Sequence, residues 1–540
     1  MVVNNYNTTK VILIQPSGKD WQPGASRGHS TSDGYELALL NQCLNEAGIK
    51  SDYILQRPLG TNKEFYNGTK RIIPNPPSLD DLADEIIQKG AEIIGLEVMS
   101  CYENNARELA KKIKQKNPSI KIIAGGYHAT GYPEILYDKN IDYVILGAGE
   151  KTLPNLAQNI LDKKNISDTR KLNDLPKIGD NSRRNKISEN AFAFIKNGEI
   201  KLAKRLECEL YQNFDEVPIP KRKIEYQEGC VSGVLADIPP NEQVMATMQT
   251  RRGCDNNCKY CASSSIYGVK GRSLFCNSNV KSINNVIAEL EYLSKLGINF
   301  IFFTDPTFNE DGAYLEDLIN KIIEEKENRR LSQMSFYAMF RPFNREQMEK
   351  RELSFNQYQK LKRAGFTRIA FGVENPNDKI LKSMGRKNKI SDLEEHLVAV
   401  HNTGIFTRGF MMYGHEDETM ESLSKYKEIM KNLHVDEWRL APMAPFVGTS
   451  TGEAYLATHK EIDFSMHDAI YSVIIPKEIL EHFENEQDTR TYLMNWQKST
   501  LKEIYQSREW KSRINELNEK FPELRKGIKF YLDYLKENLS

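Results

Sequence analysis

Two blocks of alternating strand-type and helix-type sequence, separated by a polar stretch, constrain this chain more than any other feature. In the first block VILIQ (11–15), SDYIL (51–55), AEIIGLEV (91–98), IKIIAGG (120–126) and IDYVILG (141–147) are short apolar runs rich in β-branched residues. Helical patterns at 33–48, 79–89, 103–116 and 150–163 follow them. Such runs between amphipathic helices predict parallel strands covered on both faces, hence a doubly wound α/β sheet over 1–165. The second block, 241–450, runs through VMATMQ (244–249), NFIFFTD (299–305), MSFYAMF (334–340), TRIAFGV (367–373), FTRGFMMYG (406–414) and DEWRLAP (436–442). Six such units predict a partial (β/α)6 barrel with its chemistry at the C-terminal mouth of the strands. The stretch between, 166–240, carries NSRRNK (181–186) and the proline-punctuated NFDEVPIPKRK (213–223), and reads as a linker or wrapping segment. Residues 451–540 place Glu, Lys, Leu and Tyr at helical spacing, as in TYLMNWQKSTLKEIYQ (491–506), and read as a helical cap.

Ligands of open α/β sheets lie outside the carboxyl ends of the strands. Gly125 and Gly126 end the fourth run of the first block, and Gly147 and Gly149 end the fifth. For any one such pair, letting a strand turn into a helix is an equally good reading. Four at two adjacent strand ends predict a flat, bulky ligand over the sheet edge.

The loop leaving the first strand of the second block reads RRGCDNNCKYCASSS and holds Cys254, Cys258 and Cys261 as C-x3-C-x2-C. A [4Fe–4S] cube is normally held by four cysteines, so three leave one iron open to bind something else. Structural zinc needs a fourth Cys or His nearby, and Cys276 stands alone. The remaining cysteines, Cys43, Cys101, Cys208, Cys230 and Cys276, are scattered and read as core thiols. Eight cysteines in 540 residues, three of them clustered, fit cofactor ligation in a reducing compartment better than a disulfide framework. With 74 Lys+Arg against 74 Asp+Glu, nothing draws the chain toward nucleic acid or an anionic membrane. No apolar run approaches the ~20 residues that span a bilayer, and MVVNNYNTTK lacks a secretory pattern, so a cytoplasmic protein with a small-molecule or peptide substrate is expected.

The cysteine spacing, with Tyr260 just before the last cysteine, resembles the radical S-adenosylmethionine (SAM) superfamily. The resemblance covers nearly the whole chain. It implies that Cys254, Cys258 and Cys261 hold the cluster and that the open iron chelates SAM. FGVENPND (371–378) resembles the segment whose carboxylate, here Glu374, binds the SAM ribose, and GFMMYGHEDET (409–419) the segment with its turn glycine at Gly414. The family's Gly-Gly-Glu segment is replaced by TDPTFNED (304–311), which leaves Asp305 as the candidate for the SAM amino group. GGYHAT (125–130) and ILGAGEKTLPNLAQNI (145–160) resemble the cobalamin-binding domain ahead of the barrel in the B12-dependent subgroup. Cobalamin contacts are then expected from Gly125, Gly126, Gly147 and Gly149, with His128 in a loop near the corrin edge and Glu150 capping its helix. The segment QPSGKDWQPG (15–24) lacks the D-x-H-x-x-G that supplies a histidine to cobalt, so cobalamin is expected base-off without one.

The resemblance implies a C-methyltransferase acting on an unactivated carbon of a small molecule, peptide or lipid. A 5′-deoxyadenosyl radical and methylcobalamin would carry the reaction, and an electron donor such as flavodoxin or ferredoxin would feed it. The alternatives are an oxidative cyclase or rearrangement enzyme with the same cofactors and a non-catalytic cobalamin-binding protein. A tRNA methylthiotransferase would need three N-terminal cysteines for a second cluster, and only Cys43 and Cys101 are present. Tyr337, Arg341, Arg408, Tyr413 and Trp438 are candidates to face the substrate.

Overall fold

All five apolar runs of the first block form strands: β1 (Val11–Gln15), β2 (Ser51–Leu55), β3 (Ile93–Glu97), β4 (Lys121–Gly125) and β5 (Tyr143–Ile145). They pair in parallel in the order β2-β1-β3-β4-β5. The computed structural model describes residues 9–17, 33–57, 66–67, 70–71, 76–164, 170–171, 190–204, 211–228, 242–254, 256–263, 276–278, 280–459, 462–464 and 474–539. Helices α1 (Tyr35–Glu46), α2 (Leu79–Gln88), α3 (Glu103–Lys116), α4 (Tyr127–Gly131) and α5 (Thr152–Leu161) complete the winding. Strand alternation explains the two layers. Ile12 and Ile14 of β1 join the core under α2 and α3, while Val11 and Leu13 join the one under α1 and α5.

The stretch expected to be a linker contributes to this sheet. β6 (Asn190–Lys196) pairs antiparallel with β5, β7 (Glu199–Lys204) pairs with β6, and Arg170–Lys171 closes the edge, giving eight strands of mixed direction. Asn197 and Gly198, both at positive φ, form the two-residue hairpin turn that Asn-Gly favours. That dipeptide between AFAFIK and EIKLAK was the visible signal of a hairpin.

The second block forms β8 (Met245–Met248), β9 (Phe300–Phe303), β10 (Ser335–Phe340), β11 (Phe366–Glu374), β12 (Phe406–Tyr413) and β13 (Glu437–Pro442), parallel and paired in chain order. Helices α6 (Ile283–Lys295), α7 (Gly312–Glu327), α8 (Asn356–Ala364), α9 (Asp378–Ser383), α10 (Ile390–His401) and α11 (Met420–Asn432) lie between strands. Met245, Phe300, Tyr337 and Ala370 pack together inside the curved sheet, and the alternate residues pack outward under the helices.

The C-terminal helices α12 (Ser450–Thr458), α13 (Glu486–Gln506), α14 (Arg508–Lys520) and α15 (Arg525–Leu539) follow. The Tyr505 hydroxyl accepts the Trp438 N–H at 2.8 Å, and the Trp510 indole donates to the Asp436 carbonyl at 2.9 Å. α13 and α14 therefore buttress the outer face of β13. Tyr413 and Trp438 lie in that outer core, away from the barrel interior, whereas Tyr337 and Arg408 face inward, Arg408 paired with Glu437 at 3.0 Å. Among the described residues no helix is long and apolar enough to cross a membrane.

The two sheets are joined by buried charge. Asp33, at the start of α1, accepts the Thr247 backbone N–H at 2.7 Å and its hydroxyl at 2.6 Å, and pairs with Arg222 at 3.0 Å. Arg222 also donates to the Thr247 carbonyl and lies over the Tyr35 ring. On another seam main chain meets main chain. A Cβ on Gly131, at the end of α4, would lie 2.8 Å from the Val447 carbonyl oxygen, and one on Gly448 would lie 3.1 Å from Gly131 Cα.

Candidate functional site

The cysteine loop starts where β8 ends, and a buried carboxylate turns it. Asp305, beyond β9, accepts the Thr250 N–H at 2.9 Å, the Thr250 hydroxyl at 3.2 Å and, in a short bond, the Arg251 N–H. Burial pushes Asp305 up to about 7 against those bonds. It is fully enclosed and committed to the loop's first turn, which corrects its assignment to the SAM amino group. The far side of the loop is also pinned. The Lys259 N–H donates to the Met384 carbonyl at 3.0 Å and the Thr451 N–H to the Lys259 carbonyl at 3.1 Å. A Cβ on Gly385 would come 2.6 Å from the Asn257 carbonyl oxygen, so that close approach requires glycine.

Between these anchors stand the three thiols. Cys254 accepts from the Asn256 amide at 3.2 Å and lies 3.7 Å from the Thr307 hydroxyl. The Cys261 N–H donates to the Cys258 carbonyl at 3.2 Å. Burial raises the Cys258 thiol, while Arg386 and Arg341 lower it. Among the described residues no three His, Cys, Asp or Glu side chains converge as a single metal ion requires. Three thiols on one short, doubly anchored loop supply one ligand each to separate irons, as a multi-iron cluster requires.

Glu374 ends β11 in the left-handed region at φ +68°, an uncommon conformation for a residue with a side chain and one that collects at functional sites. The pairing with β12 slips between Gly372 and Glu374, and a Cβ on Gly372 would sit 2.3 Å from a Glu374 carboxylate oxygen. Glycine at 372 thus gives that carboxylate its place. Burial raises Glu374, and Arg386, 3.8 Å away, and the Tyr260 hydroxyl counter it. Tyr260 packs on the cluster of Ile380, Met384 and Met443 beside the loop. Gly414, at φ +94°, donates its N–H to Glu418 at 2.7 Å. Glu418 also accepts the Asn375 amide at 2.7 Å, so it ties the ends of β11 and β12 together; burial pushes it up to about 7. Tyr260, Glu374 and Arg386 therefore gather beside the cysteines, and Glu418 is a supporting residue the sequence reading missed.

A cavity of about 360 Å³ opens at the carboxyl ends of β1, β3, β4 and β5. Gly125, Gly126, Gly147 and Gly149 all line it. Gly126, at φ +98°, starts α4, and a Cβ there would press on the Val98 carbonyl at 3.0 Å. A Cβ on Gly125 would meet no atom within 4 Å and so would point into open space. A flat group can settle against such a side-chain-free floor, which is what a corrin requires. Gln249 and Arg252, from the start of the cysteine loop, complete the wall.

Two expectations fail here. His128 lies on α4, fully buried, with Nδ1 3.1 Å from the Ser100 hydroxyl and its ring edge-on to Phe464. The helix begins at Tyr127, and its 3.6-residue period sends Tyr127 and Thr130 to the cavity and His128 to the interior. His128 is therefore no loop residue at a ligand edge. Glu150 does not cap α5, whose first turn has no side-chain cap. It pairs with Arg252 at 2.5 Å, joining the first sheet to the cysteine loop. Glu36, Glu97, Gln249 and Arg252 are lining residues not singled out from sequence; Glu97, a lone charge in an apolar strand, was the legible one.

The sequence matches the family model of the radical SAM superfamily over residues 248–428 and that of the B12 binding domain over residues 34–157. The first range includes Cys254, Cys258, Cys261, Tyr260, Glu374 and Gly414, and the second all four cavity glycines. An uncharacterised methyltransferase of Pyrococcus horikoshii is 26% identical over 415 residues, 76% of this chain and 79% of its own. The radical SAM methyltransferase TsrM from Kitasatospora setae, solved with cobalamin and a [4Fe-4S] cluster bound, is similar with TM-score 0.59 at 14% identity over 84% of this chain and 79% of that one. OxsB, a cobalamin-dependent SAM radical enzyme solved with aqua-cobalamin and SAM, is similar with TM-score 0.56 at 17% identity over 88% and 58%. The likeness to both solved structures is one of fold.

Proposed function

Because the chain belongs to the B12-binding radical SAM enzymes, which use a [4Fe–4S] cluster, SAM and cobalamin, we propose that it transfers a methyl group to an unactivated carbon of a small-molecule, peptide or lipid substrate. One observation carries this reading. The glycine-floored cavity of the first sheet is walled by Gln249 and Arg252, and Arg252 stands two residues before Cys254. A site for a methyl carrier and a site for SAM cleavage thus share a wall, as radical methylation requires. The relationship to the Pyrococcus methyltransferase supports it.

When bound, the cluster supplies the electron that splits SAM into a carbon radical, and cobalamin carries the methyl group. The protein's part is placement. Cys254, Cys258 and Cys261 hold the cluster on a loop fixed by Asp305 and Met384. Glu374 and Tyr260 orient SAM, and Glu418 keeps the two strand ends beneath it in register through Gly414 and Asn375. Gly125, Gly126, Gly147 and Gly149 receive the corrin, and the Glu150–Arg252 pair fixes its distance from the cysteines. A low-potential donor of the flavodoxin or ferredoxin kind completes the cycle.

Methyl-labelled SAM incubated anaerobically with the reconstituted enzyme and candidate substrates, chosen from the products of neighbouring genes, should yield labelled product. A converted substrate without label would replace methylation by cyclisation or rearrangement, and failure to cleave SAM would remove the enzyme reading. The corrin site has its own test. Gly125→Leu should weaken cobalamin uptake, followed by absorbance, at least about tenfold, because the new side chain fills the open floor. Its thermal melting should stay near wild type, since the first added atom meets no neighbour. Full uptake would place cobalamin elsewhere.

A further inference from the structure

Among the described residues, the lining of the cobalamin cavity carries more carboxyl groups than cations. Its charged lining consists of Glu36 from α1, Glu97 from β3, Glu150 before α5 and Arg252 from the cysteine loop. Arg252 is paired with Glu150, and among the described residues no further cation lines the space that Glu36 and Glu97 face. The Gln15 amide donates to the half-buried Glu97 at 2.8 Å, and Glu36 is exposed toward the cavity. The other groups around the pair are Tyr35 on α1, Tyr102 before α3 and Tyr127 on α4. Asp33, Arg222 and Arg252 also act on Glu36, but Arg222 is bonded to Asp33 and Arg252 to Glu150.

The mechanism above gives these two carboxyls no task. Two carboxylates in one partly dry space repel each other, and the pair keeps a proton that either alone would lose. Burial, then Glu36, pushes Glu97 up to about 8. A corrin-bound cobalt brings positive charge that falls by one unit with each electron it accepts. A carboxylate beside it binds a proton more weakly while cobalt is oxidised and more strongly once it is reduced.

Resting on the cobalamin reading of the cavity, we infer that Glu97 and Glu36 act as a proton acceptor coupled to cobalt reduction. One electron from a low-potential one-electron donor reduces cobalt(II) to cobalt(I), and one proton from solvent joins the pair, so the charge in the cavity is unchanged. The oxidised cobalt draws Glu97 below its value of about 8 and reduction returns it toward that value. The coupling therefore operates in the pH window just under 8. Above it both oxidation states lack the proton, and well below it both carry it.

The test is a spectroelectrochemical titration of cobalamin-loaded full-length protein from slightly acid to slightly alkaline pH. The cobalt(II)/cobalt(I) potential should fall as pH rises through the window, by up to about 59 mV per pH unit for one proton per electron. Glu97→Gln, which keeps size and can still accept from Gln15, should flatten the slope. Glu36→Gln should shift the window to lower pH by removing the repulsion, and serves if the first variant does not fold. A pH-independent potential in wild type, or a slope unchanged in both variants, overturns the assignment. A chain that takes up no cobalamin overturns the parent reading and this one with it, whereas uptake with a flat potential overturns the proton pair alone.

Discussion

Cys258→Ala protein, reconstituted anaerobically with iron and sulfide, is expected to lose nearly all of the about four irons per chain that a cubane needs, and to cleave no SAM. The effect should be the largest available because the three thiols do not share a replaceable task. Each takes one iron, and two ligands do not retain a cube that already lacks a fourth. Cys258 is also the most enclosed of the three, flanked by Arg386 and Arg341, so neither water nor a neighbouring carboxylate replaces it easily. Folding should survive, because the loop is held by main-chain bonds to Met384 and Thr451 and by Asp305, none of which involves a thiol. Iron analysis and 5′-deoxyadenosine release read the result. Full iron content in the variant would mean that the cluster ligands have been misassigned.

Removing Asp33 is expected to loosen the whole molecule. Asp33→Ala deletes the acceptor of two Thr247 bonds and leaves the buried Arg222 with Glu289, 4.0 Å away, as its remaining carboxylate. Breaking a buried pair from one side costs about 3–5 kcal/mol, most of it from the charge left behind. Exchanging both partners, Asp33→Ala with Arg222→Met, should recover part of that loss, because no uncompensated charge remains. Calorimetry and limited proteolysis check the stability. The single variant should also keep its iron and cleave SAM while methylating poorly, because the pair joins the two sheets and leaves the cysteine loop alone. A melting curve unchanged from wild type would show that this contact is not what holds the sheets together.

Most of the architecture could be read from the sequence because each strand is an apolar run bounded by helical periodicity, and that signal is local. Val11–Gln15 and Ser51–Leu55 occupy the runs read for them, as do the six barrel strands to within about two residues. The hairpin of 190–204 was passed over because charged flanks outweighed its Asn-Gly turn. The glycines at 125, 126, 147 and 149 were legible as a floor because four of them end two adjacent strands, more than a strand-to-helix turn needs. His128 was misplaced because a helix that starts one residue earlier changes which way a side chain faces, and no pattern marked that start. Glu150 and Arg252 lie about a hundred residues apart in the chain, and their pairing comes from the docking of two sheets, which no local pattern encodes. Asp305 was given the wrong task and Glu418 was missed for a related reason: each is an acidic residue kept inside to hold main-chain amides, and sequence alone cannot tell such a residue from a solvated one.

The contact of Gly131 with Val447 and Gly448 has a consequence for how this scaffold diversifies. A seam made of main chain has no side chains to enlarge, shrink or repack, so at this contact only a change of the glycines themselves alters the approach of the two backbones. The walls that face a substrate are ordinary side chains, free to change shape and polarity. The position of α4 against residues 447–448 is therefore set by the backbone itself, while walls made of side chains can change shape without disturbing it.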